Sequence, residues 1–389
     1  IPYPLISGDK IRLYHLIKQL AQTYRVSLAA PVRTPEEMQS VKAMHEFCEH
    51  VITADLPRRH PIFHLPGLVH TALAGQPLEL HFLTSSELIN KIDALLESDP
   101  VDIINFEHSR MAHYADAISI KGKTKKVLTF QNVAYQQFDT IYKITRPLVS
   151  KFRAWLFSRQ MRKWEARCVR TFDRCVTVSE NDRQLLLADT PMMRIDVASN
   201  GVDTRAYQLL PHTDDPPTLL MIGLMSYAPY ADSATYFCEK ILPILREKIG
   251  SVRVFIVGPN PPPRVKSLEG NGIQVTGRVP EVEPYYRKST ISIVPLRAGG
   301  GTRLKILEAM ALGRPVVSTS LGCEGLDVVN GEHLLIADEP ELFADSIARL
   351  LSDQTLYNNI VTHARSLVEV QYDWSVIAAQ MQKIYDELI

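Results

Sequence analysis

A chain of 389 residues is longer than one ordinary domain, and a hydrophobic content of 46% is enough to fill two cores. Basic and acidic residues balance at 43 each, which excludes a nucleic-acid binder that works through bulk charge. The five cysteines (Cys48, Cys168, Cys175, Cys238, Cys323) are scattered without C-x-x-C spacing. That argues against a disulfide framework or zinc site and for a reducing, cytoplasmic setting. No apolar run approaches about 20 residues, so neither a membrane span nor a signal peptide is expected.

Taken in chain order, Ile1-Pro2-Tyr3-Pro4 reads as a loop, followed by Ser7-Gly8-Asp9 and an amphipathic helix over 9–23. A parallel sheet ordinarily feeds such a loop from a strand, so a strand is expected before Ile1, or another element in its place. Strands are predicted at 24–29, 101–106, 126–130 and 174–178, with helices at 85–96 and 180–187 between or after them. Turn residues and prolines cluster over 200–217 (Pro211, Asp214, Asp215, Pro216, Pro217) and mark an interdomain linker. A second unit then opens with strands at 218–222, 252–257, 290–295 and 315–318 and a helix at 233–248. Alternation of this kind predicts parallel sheets covered by helices on both faces, without internal repeats.

The most informative stretch runs from Pro295 through Gly299-Gly300-Gly301-Thr302-Arg303-Leu304-Lys305 to Glu308. A buried strand ends, three glycines follow, and a helix is predicted from about Thr302, which can cap it. Glycines let a ligand approach the backbone, and free N–H groups at a helix start attract anions. Arg303 and Lys305 oppose the helix dipole by about 0.3–1 kcal/mol each unless an anion compensates, and a diphosphate is the obvious candidate. Glu308, one to two turns on, can accept the two hydroxyls of a ribose. Read from residues alone, the stretch is also open to being a glycine-rich connection with surface cations, and Glu308 to being a solvated helical glutamate. It is neither a Walker loop nor G-x-G-x-x-G.

Gly300–Val317 resembles the nucleotide-sugar signature of glycosyltransferase family 4, E-x7-E followed by A-M-A-x-G-x-P-V-V, with Glu308 as the second glutamate. Val178-Ser179-Glu180, Asn200-Gly201-Val202-Asp203, Val257-Gly258-Pro259, Thr276-Gly277-Arg278-Val279, Gly322-Cys323-Glu324-Gly325-Leu326 and Asn330-Gly331-Glu332-His333 resemble further family segments in the family's order. The resemblance implies a GT-B fold, two Rossmann-like α/β domains with parallel sheets facing each other across a cleft. It implies an acceptor domain over 1–207, with a carboxy-terminal helix at about 372–389 crossing back onto it, and a donor domain over 208–371. The implied activity is retaining, metal-independent transfer of a sugar from a nucleotide-diphosphate sugar (UDP or GDP) to a hydroxyl of a sugar, lipid-linked or other acceptor. Glycan, glycolipid or polysaccharide synthesis is the implied setting, with no cofactor and no nucleic-acid partner.

Site residues follow from the same resemblance. Ser7, Gly8, Gly223, Gly299, Gly300, Gly301 and Thr302 face the donor phosphates, Leu304 is a further donor-binding residue, Gly258 lies beside the base that Arg278 and Val279 read, and Glu308 holds the ribose. Three departures matter. The first signature glutamate falls on Gly300, as in a G-G-G-T-R-L-K-x-L-E-A branch of the family. Gly223-Leu224-Met225 lacks the usual diphosphate-gripping cations, so Arg303 and Lys305 are expected to replace them. Gln131 stands where many members have a histidine near the donor sugar, and His108, after the preceding strand, is a second candidate for orienting the acceptor.

The expected mechanism is front-side displacement, in which the leaving diphosphate takes the acceptor proton and Arg303 and Lys305 stabilise its charge. A sugar-nucleotide epimerase, or a binding protein that has lost catalysis, stays open as an alternative. Finally, 142–170 carries nine cations (Lys143, Arg146, Lys151, Arg153, Arg159, Arg162, Lys163, Arg167, Arg170) against Glu165 alone, interleaved with Trp155, Leu156, Phe157 and Trp164. Such a stretch suits peripheral contact with anionic lipid, a solvated basic face or a groove for a phosphorylated acceptor.

Overall fold

Alternating strands and helices assemble into two units, Ile1–Ser199 with Ile377–Ile389, and Asn200–Val376. The computed structural model describes residues 1–389 apart from Pro4, Ile6, 33–36, Gln39, Ser40, 57–64, Thr145, Arg146, 213–215, Gly300 and Thr302. The first unit ends ahead of the expected 207/208 boundary. Its carboxy-terminal segment is the last part of the helix Trp374–Asp386 and the residues after it.

The first unit holds strands β1 (Ser27–Val32), β2 (His50–Asp55), β3 (Ile103–Glu107), β4 (Lys125–Phe130), β5 (Arg174–Thr177) and β6 (Ile195–Val197). β1 pairs with β2 in one parallel ladder, and β3-β4-β5-β6 form a second parallel sheet in chain order. β1 lies later than the predicted 24–29, because Tyr24 still closes the first helix through its N–H to Leu20 O. β5 is buried at every position, as a strand covered on both faces requires. Arg174 on it meets Asp196 at 2.7 Å and Glu387 at 3.3 Å. Phe130, Leu128, Met161 and Trp164 are the large side chains of the core between this sheet and the helix Leu148–Thr171.

The second unit holds β7 (Thr218–Ile222), β8 (Arg253–Val257), β9 (Ile273–Gly277), β10 (Ile291–Val294), β11 (Val316–Ser318) and β12 (Leu335–Ile336). They form one parallel sheet in the order β12-β11-β10-β7-β8-β9. Counted within the unit this is 3-2-1-4-5-6, the doubly wound arrangement, with Phe237, Phe343, Ile256 and Ile293 in its core. The helix predicted at 233–248 starts earlier, at Ala228–Tyr236, and passes through a π-turn at Phe237–Ile241 into Leu242–Ile249. Pro243 explains the π-turn: it has no N–H to give the turn behind it, and its ring pushes that turn open.

Candidate active site

In the second unit the connections leave β7 towards one side of the sheet and β10 towards the other, so the strand order reverses between them. Parallel sheets open a ligand crevice at the carboxyl ends beside such a reversal. Glycine stands there on three successive strands: Gly223 after β7, Gly258 after β8 and Gly277 closing β9. Gly223 N–H donates to Val257 O at 3.0 Å and Gly258 N–H to Gly277 O at 3.1 Å, so the turns continue the ladder. Two of the three leave no room for a side chain, whereas nothing lies within 4 Å of a methyl built on Gly277. A methyl group on Gly258 would lie 1.7 Å from Gly223 O, and one on Gly223 would lie 2.7 Å from the Tyr230 ring.

After β10 comes the glycine turn, with Gly299 at φ +110° and Gly301 at φ +80°, both in the region that favours glycine. Gly300 and Thr302 lie outside the described residues. The helix begins at Leu304, two residues past Thr302, with Arg303 at its cap position. Arg303 is buried, and its Nη2 is 3.3 Å from where a methyl on Gly299 would sit, so the guanidinium folds back along the turn. Lys305 reaches across to β7: its ammonium donates to Ile222 O and lies 3.5 Å from the Tyr230 ring centroid. Burial pulls the Lys305 ammonium below its ordinary range. The expectation that helix-start cations wait uncompensated is therefore corrected for Lys305, which a carbonyl and an aromatic face already stabilise.

Glu308 lies one turn on, in a cluster with Tyr286 and Tyr207. Burial raises its carboxyl, opposed by Lys305 and by a hydrogen bond from Tyr286. The Tyr286 hydroxyl also lies 3.1 Å from Lys305 O. The charge of Glu308, ahead of burial, drives the Tyr207 phenol upward. Glu308 is thus a partly buried carboxylate among phenols, not a solvated helical residue. Leu304 is buried in the helix start, Arg278 is exposed just beyond β9, and Val279 next to it is half-buried.

In the first unit Ser7 caps the helix Gly8–Leu20 through its backbone, Ile11 N–H to Ser7 O at 3.0 Å, with no side-chain cap bond. His108 follows β3 directly at φ +84°, a left-handed conformation that costs a non-glycine residue about 1–3 kcal/mol. Its buried Nδ1 has no hydrogen-bond partner among the described residues. Burial, then the charge of Arg110, lowers its imidazole to about 4, so it is neutral near pH 7. Gln131 donates from Nε2 to Glu107 Oε2 at 2.8 Å, and Asn105 donates to Glu107 Oε1 at 2.8 Å. Burial raises the Glu107 carboxyl, and the charge of Arg12 opposes it. The bond to Glu107 uses the amide nitrogen of Gln131 and not its carbonyl oxygen.

Tyr230, Tyr286, Tyr207, Glu107 and Arg12 went unmarked in the sequence. Arg12 is fully buried and donates to Ser199 O at 2.5 Å. Only its place on the inner stripe of the first helix, between Leu16 and the loop, could have betrayed it.

Residues 6–206 match the model described as Glycosyltransferase Family 4, and 216–353 match Glycosyl transferases group 1. A phosphatidyl-myo-inositol mannosyltransferase of Mycobacterium leprae is 29% identical over 152 residues, covering 37% of this chain and 40% of that protein. The same-named protein of Mycobacterium tuberculosis is 26% identical over 202 residues, covering 48% and 52%. The chain thus spans about half the length, or less, of these curated relatives. Among solved structures, Anabaena Alr3699/HepE in complex with UDP-glucose superposes with a TM-score of 0.70 at 14% identity, over 100% of this chain and 97% of that one. This likeness, with the two parallel α/β units, gives the fold as GT-B.

Proposed function

The chain belongs to glycosyltransferase family 4, and from that premise we propose that it transfers a sugar from a nucleotide-diphosphate sugar to an acceptor hydroxyl with retention and without a metal. The observation that carries this reading is the pair Arg303 and Lys305 beside the glycine turn, at the strand-order reversal where a parallel sheet opens its crevice. The diphosphate lies along the Gly299–Gly301 turn. Arg303 grips it as a fork and Lys305 as a point charge, and Glu308 accepts the ribose hydroxyls.

In the reaction the bond from the sugar's anomeric carbon to the diphosphate oxygen breaks with its electron pair leaving on the diphosphate. The acceptor oxygen bonds to that carbon from the same face. The acceptor proton passes to the leaving diphosphate, so no protein base has to be charged or discharged. The two cations stabilise the charge as it departs, in surroundings that strengthen them. His108, neutral and held in a strained conformation, orients the acceptor hydroxyl through a ring nitrogen, with Gln131 alongside it in the first unit. The acceptor is a sugar or lipid-linked hydroxyl in glycan or glycolipid synthesis.

Thermal unfolding with UDP, GDP and ADP and their sugar conjugates, each with and without chelator, tests this reading. A ligand that binds only the folded protein raises the melting point by mass action. A shift with one base, unchanged by chelator, followed by transfer of that donor's sugar with its anomeric configuration kept, is the expected result. No shift with any nucleotide overturns it, and strict metal dependence overturns the mechanism.

A further inference from the structure

The helix Leu148–Thr171 buries one face and leaves another uncovered. Ala154, Ser158, Met161, Glu165 and Cys168, at three- and four-residue steps, face the core. On the other side the first turns carry Leu148, Val149, Phe152, Trp155 and Leu156, exposed to 82, 74, 61, 38 and 40%. The rings of Phe152 and Trp155 stack with centroids 5.7 Å apart, which joins these side chains into an apolar plate. A plate of this kind in water marks a docking surface.

Charge identifies what docks. Beyond the plate the same face continues as Arg159 and Lys163, with Arg153 on its flank, all exposed. The Arg159 guanidinium lies 4.9 Å from the Trp155 ring centroid, at the seam of plate and cations. Arg162 is held by Asp189 and Arg167 by Asp116, whereas Arg153, Arg159 and Lys163 make no ion pair among the described residues. Glu165, the sole carboxylate of 142–170, points inward and accepts bonds from Ser109 and from the N–H groups of Ala134 and Tyr135. The face therefore presents apolar and cationic chemistry and no exposed acid.

We propose that this face docks on an anionic lipid bilayer. The plate enters the boundary between headgroups and acyl chains, and Arg153, Arg159 and Lys163 meet the lipid phosphates. The inference extends the functional reading by assigning the acceptor to the membrane surface, and it is measurable without turnover.

Trp155 is the exposed one of three tryptophans, since Trp164 and Trp374 are buried, so tryptophan emission reports on the plate. The full chain is mixed with vesicles of phosphatidylcholine alone or with phosphatidylglycerol added. Flotation and a blue shift with the anionic vesicles only, weakened by salt, are expected. Phe152→Ser/Trp155→Ser should cut partitioning by on the order of tenfold or more. Arg153→Gln/Arg159→Gln/Lys163→Gln should cut it roughly a hundredfold, at about fivefold per cation. No flotation with an unshifted spectrum overturns the proposal. So does a concentration-dependent dimer that Phe152→Ser dissolves, which assigns the plate to a second copy. A nucleotide-induced melting shift kept in all variants separates failure of this proposal from failure of the donor reading.

Discussion

The ammonium of Lys305 sits 3.5 Å above the Tyr230 ring while it donates to Ile222 O, so one side chain ties the helix after β10 to the end of β7. The ammonium is held in place by a carbonyl and an aromatic face, while burial pulls its pKa below the ordinary lysine range. On the proposed reading, an anion entering there meets a positioned cation and does not have to order a flexible one.

Removal of that cation should therefore be felt by the nucleotide. Lys305→Met is expected to weaken nucleotide-diphosphate binding about 10- to 100-fold, the range of one charge-assisted hydrogen bond, and Arg303→Ala/Lys305→Ala to abolish it. Calorimetric titration with the nucleotide selected by thermal shift measures both. Affinity within twofold of the parent in the double variant refutes the assignment of the cations.

The packing of the two glycine turns gives a second expectation. Gly258→Ala places a methyl group 1.7 Å from Gly223 O, and the turn backbones must move apart to admit it. A loss of at least about 2 kcal/mol in urea unfolding, together with loss of the nucleotide shift, should follow.

His108 should divide the kinetics. His108→Ala is expected to lower kcat/KM for the acceptor by about 10- to 100-fold while donor KM stays within twofold. His108→Asn, which tolerates the left-handed backbone and keeps a polar tip, should restore part of it. Steady-state rates with each substrate varied in turn distinguish this from a general loss of folding, which would depress both.

Glu165 makes stability depend on pH. Burial, opposed by the bonds from Ala134, Ser109 and Tyr135, raises its carboxyl from 4.5 to about 7. The native state thus holds a proton that the unfolded chain has released, so the stabilising contribution is whole below about pH 4.5 and is lost as pH rises through about 7. The full effect is about 3 kcal/mol. Urea midpoints at pH 5 and pH 8 should fall further in the parent than in Glu165→Gln, and parallel changes would refute the assignment.

The strand–helix alternation was legible because buried parallel strands such as β7, β8 and β10 are short β-branched runs between clear helical patterns. β2, β6, β9 and β12 were not among the predicted strands: β2 and β9 are only partly buried, and β6 and β12 are three and two residues long. Arg303, Lys305 and Glu308 could be marked because they share one local segment with the glycines. The partners that define their chemistry could not. Tyr230 and Tyr286 reach them through sheet order, which local spacing does not encode. Glu165 read as a lone acid in a basic run, and only the fold turns it inward onto Ser109 and a neighbouring helix start.

Val202 N–H donates to Tyr372 O at 2.7 Å and Trp374 N–H to Val202 O at 3.2 Å, so the two ends of the second unit are laced together. In topological terms the second unit is a guest inserted into a host, entering after Ser199 and leaving before Ile377. A guest with adjoining ends can be cut out or circularly permuted at little cost in loop entropy. The host has the opposite property. Its Tyr24 hydroxyl bonds Asp386 and its Arg174 pairs with Glu387, partners that a ribosome supplies only after the whole guest, a wait on the order of ten seconds or more. During synthesis the first unit begun is the last one finished.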